Sequence, residues 1–136
     1  NTSGLPDNEN IVRVTLKILS AGVVGTDPFG THGSLLSDIR KGYFGTASNL
    51  QALDFQADPS AAAIGKFVAL SGAPGWYQLT LSAAQYAYIN KAGPTQFRLR
   101  FQLDENNDRG VDLIKFYSGE APAANRPTLV VEYKIP

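Results

Sequence analysis

From Thr95 to Gly119 the chain reads TQFRLRFQLDENNDRGVDLIKFYSG, and this stretch restricts the fold more than any other. Phe97, Leu99, Phe101 and Leu103 alternate with Gln96, Arg98, Arg100 and Gln102. A period of two places the apolar set on one face of a half-buried β-strand and the polar set on the other. The alternation stops at Asp104-Glu105-Asn106-Asn107-Asp108-Arg109-Gly110, and a second apolar segment, Val111 to Tyr117, follows.

The same period recurs elsewhere. Val12, Val14, Leu16 and Ile18 alternate with Arg13, Thr15 and Lys17. Between Gly75 and Leu81, Trp76, Gln78 and Thr80 oppose Tyr77, Leu79 and Leu81. Further strands are expected at Leu35–Ile39, Leu50–Gln56, Ile64–Leu70 and Thr128–Tyr133. Ser82 reads as the N-cap of a short helix that Gly93-Pro94 closes. The Gly-rich segment SAGVVGTDPFGTHGS reads as irregular. Seven or eight short strands, turn clusters between them and one short helix define an all-β chain. The expected architecture is an antiparallel β-sandwich or jelly roll.

A length of 136 residues suits one domain, with 1–136 as a single sandwich or the C-terminal part of a larger one. Lys plus Arg and Asp plus Glu are 12 each, so a nucleic-acid partner, which needs a basic face, is not expected. No apolar run reaches the roughly 20 residues of a membrane span. The absence of Cys excludes disulfides and thiolate zinc sites. Met is absent too, even at position 1, and removal of a signal peptide is one route to such a start.

The polar loop is the first candidate for chemistry. Calcium takes several oxygen ligands from carboxylates, amides and carbonyls. Asp104, Asn106, Asp108 and Asp112 recur at even positions, so a curled loop would gather them around a structural calcium ion. The match to an EF-hand is poor: Gly110 falls one position late, and Lys115 stands where a bidentate Glu is needed. A plain solvated hairpin loop uses the same residue types.

The other candidates are weaker. His32 is the lone histidine, so it cannot build a multi-His metal site, and no nucleophile-elbow pattern surrounds any Ser. It is expected to be an exposed loop residue. Asp54, Asp58, Glu120 and Glu132 are the carboxylates from which a glycosidase pair would come. Trp76 and Tyr77 are neighbours on a strand and must point to opposite faces, one toward the core and one outward. An outward aromatic stacks on flat sugar faces, so these two are candidate ligand contacts. Arg98 and Arg100 share a face and are candidates for an acidic polysaccharide, with solvated surface as the plainer reading.

The order of motifs points to a family. TQFRLRF, an Asp/Asn loop and then FYSGEAPAANRPTLVVEY resemble the C-terminal half of DNRLRE-type domains. The matching residues are Phe116, Ser118 and Glu120, then Arg126, Pro127, Leu129, Val131 and Tyr133. NTSGLPDN, VTLKI, DIRKGYFG and LQALDFQA resemble the upstream part of the same domains. The resemblance implies a noncatalytic, carbohydrate-binding-module-like sandwich of secreted or cell-surface bacterial proteins. Such domains usually carry two or three strands before the segment matching NTSGLPDN, so the resemblance also implies an uncovered edge. The expected function is an extracellular or cell-surface module that binds polysaccharide or attaches to the surface. The alternative is a structural subunit whose copies share strands in a filament or surface layer.

Overall fold

A computed structural model describes residues 1–136. The chain is an antiparallel β-sandwich of eight strands: β1 (Asn10–Gly25), β2 (Leu35–Lys41), β3 (Ala61–Lys66), β4 (Val68–Ala69), β5 (Trp76–Thr80), β6 (Thr95–Phe101), β7 (Asp112–Phe116) and β8 (Thr128–Lys134). One sheet has five strands, with β5 on one edge of β1 and both β7 and β8 paired to it as well. The other has three, in the order β3-β2-β6.

β1 organises the larger sheet. Its first half pairs with β8, from Asn10 opposite Lys134 to Lys17 opposite Thr128. Its second half pairs with β7, from Ser20 opposite Phe116 to Gly25 opposite Asp112. β7 and β8 therefore lie end to end along the same edge of β1, and residues 118–127 loop out between them. A register shift between Ser20 and Gly22 bends β1 where one partner gives way to the other.

The alternation seen in the sequence builds the core. Val14, Leu16 and Ile18 of β1 and Leu79 of β5 face Leu35 and Ile39 of β2, with Ile64, Phe67, Leu81 and Ile89 completing the cluster. Phe29 stacks on Tyr77 at 4.8 Å and meets Phe101 edge-on, closing one end. Only 16 of 136 residues are buried, few for a chain long enough to cover a sandwich core on all sides.

The shortfall lies on one side. Where β3 passes into β4, the Lys66–Val68 crossover joins the sheets covalently. On the opposite side β6 is the free edge of the small sheet and β7/β8 the free edge of the large one. No strand bridges them.

Several expectations change. Leu50–Gln56 is not a strand: Ala52–Phe55 forms a single 3-10 turn, capped by reciprocal bonds between Gln51 and Asp54. Leu50, Leu53 and Phe55 stand 60–80% exposed, so their apolar spacing reflects no internal core. The Ser82 cap is correct, but the helix it opens is 3-10, Ala83–Tyr88. The Gly-rich segment is partly ordered: β1 runs through it to Gly25, and Pro28–Thr31 forms one helical turn capped by Asp27.

An ion pair between a buried carboxylate and a half-exposed lysine ties residues 1–9 to this frame. The Glu9 side chain is fully buried, with Lys91 Nζ 2.9 Å from Oε1. The Thr2 hydroxyl meets the Asn90 and Gly93 carbonyls and the Thr95 hydroxyl, so the chain enters beside the start of β6.

Candidate functional site

Two places in the molecule have shape and chemistry beyond ordinary surface: an apolar groove along the open side, and a polar pocket formed by the 104–112 loop.

The groove encloses about 610 Å³. Leu16 and Ile18 of β1 and Phe116 form one wall, and Phe97 and Leu99 of β6 the other. Leu50 and Phe55 of the long loop between β2 and β3 form its rim. The main chain along it is also unpaired. Gln102 N–H donates to Ser34, and Gly42 N–H donates to Pro94. With the register of β2 and β6, these bonds assign the even-numbered residues of β6 to the β2 ladder. The N–H and C=O groups of Phe97, Leu99 and Phe101 therefore face the open side, in line with their core-facing side chains.

The groove's outer flank is held rigid by Asp38. Its carboxylate is 1% exposed and sits where β2 and β3 slip register between Ser37 and Ile39. Oδ1 accepts the Ala63 N–H at 2.8 Å, and Ala63 takes a left-handed φ of 47° to deliver it. Arg98 donates Nε at 3.0 Å and Nη2 at 2.7 Å to Oδ2, while Arg100 Nε reaches it at 3.3 Å. Arg98 Nη1 donates to the Asp54 and Ala57 carbonyls, and its guanidinium lies 4.6 Å over the Phe44 ring. Arg98 thus clamps the loop that carries Leu50 and Phe55 onto the small sheet. Its donors are engaged within the fold, unlike the open basic row expected from the sequence. Arg100 keeps a 40% exposed side chain.

Burial acts to raise the Asp38 pKa, but the Ala63 N–H, then Arg98 and Arg100, outweigh it and hold it below the ordinary carboxylate value. A folded pKa below the unfolded one contributes stability above the unfolded value of about 4, and this is lost as pH falls through the folded value. Thermal melts across that acid range are expected to show midpoints that fall below about pH 4. A flat profile there would contradict the assignment.

The polar pocket encloses about 550 Å³ and has no hydrophobic residue in its lining. It brings together Asn106, Asp108 and Asp112, with Asp104 also on its wall. Asn106 Nδ2 donates to Asp112 Oδ2 at 2.7 Å and Asp108 Oδ2 at 3.0 Å. The left-handed Asn107 and Arg109 curl the loop, and Gly110 N–H donates to Asp108. No three side chains of the His, Cys, Asp and Glu types converge as a ligand set. His32 differs from expectation: its side chain is 12% exposed, with Nδ1 3.4 Å from Asp112 Oδ2 and 2.8 Å from the Thr31 hydroxyl.

The remaining ligand candidates separate as neighbours on a strand must. Tyr77 faces inward against Phe29 and Phe116, and burial, then the charge of Asp27, raises its pKa. Trp76 is half-buried on the outer face, opposite Leu19 and two pairs along from Gln78 opposite Lys17, which share that face. Composition alone does not reveal the groove: Leu50 and Phe55 read as parts of a strand, and only the strand pairing shows that nothing covers them.

No helix is long and apolar enough to cross a membrane. No family model, curated protein or solved structure matches the chain.

Proposed function

We propose that the chain is a noncatalytic extracellular or cell-surface β-sandwich module whose open side is closed by an extended strand from a neighbouring copy. The groove carries this reading: an apolar slot lies beside the unpaired main chain of β6, rimmed by the exposed Leu50 and Phe55. An added strand bonds to such an edge through its backbone and fills such a slot with alternate side chains. An uncovered edge with an apolar strip otherwise invites uncontrolled pairing. The likeness of the motif order to DNRLRE-type domains supports the surface location. Repetition of the contact builds a filament or layer.

Light scattering and electron microscopy test this over a concentration series. Regular assemblies are expected, and Leu50→Asp/Phe55→Asp should leave a folded monomer, because both side chains are already exposed. A wild-type chain that stays monomeric at every concentration would refute the reading.

A second reading, polysaccharide binding, is favoured by the placement of Trp76 beside Lys17 and Gln78 on the outer sheet face. A glycan array should then give hits that Trp76→Ala removes. Hits unchanged by that substitution would exclude this surface.

A further inference from the structure

Asp112 carries a buried charge that the fold leaves half satisfied. Its side chain is 5% exposed. Oδ2 accepts from Asn106 and Thr31, but Oδ1 is buried with no hydrogen-bond partner. A buried carboxylate oxygen without a partner costs free energy that folding must offset elsewhere. Asp112 lines the polar pocket, and Asp104, Glu105 and Asp108 line it too. Against these four carboxylates the pocket offers one fixed cation, the exposed Arg109. His32 lies on the Oδ2 side, where its Nδ1 already meets the Thr31 hydroxyl.

We infer that this pocket is a calcium site in which Asp112 Oδ1, the Asp108 carboxylate and the Asn106 amide oxygen bind the ion, with Asp104 closing the outer side. The Asn106 amide nitrogen sits between two carboxylate oxygens, at 2.7 and 3.0 Å. Turning the amide over puts its oxygen at that point and releases the Asp108 N–H that Asn106 Oδ1 otherwise accepts at 3.2 Å. The amide then acts as a third ligand, so the site needs no third carboxylate within reach of the ion. Carboxylates, an amide and water in an irregular loop suit calcium, which takes six to eight oxygens in flexible geometry. Magnesium demands a near-ideal octahedron and gives up its water reluctantly.

The site also has a mechanical position. Asp112 opens β7, pairs with Gly25 at the end of β1 and bridges Thr26. A bound ion therefore pins the 104–112 loop to the corner where β1 ends.

Thermal melts in 10 mM calcium chloride and in EDTA test the inference, with isothermal calorimetry of calcium chloride into the chelator-treated protein. Calcium is expected to raise the melting temperature by about 5 °C or more, and magnesium by less. Asp112→Asn should abolish the difference between calcium and EDTA. If that variant does not fold, the exposed Asp108→Asn serves, with calcium affinity at least about tenfold weaker. Glu132→Gln, on β8, should keep the full shift. Equal melting of the wild type in calcium and EDTA, with no calorimetric heat, would overturn the site. So would an undiminished calcium shift in Asp108→Asn and Asp112→Asn.

Discussion

Arg98→Ala is expected to cost about 3–5 kcal/mol of stability, the range seen when a buried ion pair loses one partner. The Asp38 carboxylate would remain 1% exposed with only the Ala63 N–H and the half-exposed Arg100 to compensate it. The substitution also removes the bonds from Nη1 to the Asp54 and Ala57 carbonyls and the stacking on Phe44. For a chain of this size the melting temperature should fall by roughly 10 °C or more. The double variant Asp38→Asn/Arg98→Met should recover much of that loss, because it removes the stranded charge as well as its partner. Urea denaturation of the three proteins measures both terms. A loss in Arg98→Ala below about 1 kcal/mol would mean that Arg100 alone suffices for Asp38.

Gly25→Ala is the second substitution with a large expected effect. Gly25 ends β1 with φ at +73°, a region that L side chains rarely adopt. A Cβ there would lie 1.7 Å from the Val111 carbonyl oxygen, a backbone atom that cannot rotate aside. Relief requires moving residues 111–112, and with them the Thr26 N–H bond to Val111 and the pairing of Gly25 with Asp112. Left-handed strain of about 1 kcal/mol and overpacking of about 1–3 kcal/mol add to an expected loss of roughly 2–4 kcal/mol. Gly72→Ala is the matched control. Its φ is +74°, but nothing lies within 4 Å of the added atom, so it should show the conformational strain alone. Equal melting temperatures for the two variants would show that the close approach to Val111 is not maintained in solution.

The parts of the fold that were legible in the sequence are those in which one face is buried. Phe97, Leu99 and Phe101 alternate because the core lies on one side of β6, and Val14, Leu16 and Ile18 alternate for the same reason in β1. Leu50–Gln56 misled because its apolar residues are spaced like a strand but rim a groove instead of filling a core. The role of Arg98 was hidden for a different reason. An alternating Arg on an outer face reads as solvated until a distant loop folds over it, and no local pattern encodes that covering. In the 104–112 loop the oxygen donors were visible as residue types. The burial of Asp112 was not, since Thr31 and His32 reach its Oδ2 from about 80 residues away in sequence.

The end-to-end arrangement of β8 and β7 on β1 also sets the order of events during folding. One edge of β1 meets β5 at residues 76–80, but the other edge pairs only with residues 112–134, much farther along the sequence. Joining such distant segments carries the entropy of closing a long loop before any pairing is gained. One whole edge of β1 therefore stays unpaired until β7 and β8 dock on it. Docking of β7 and β8, rather than collapse of the segments before them, is the event that commits this chain to its fold.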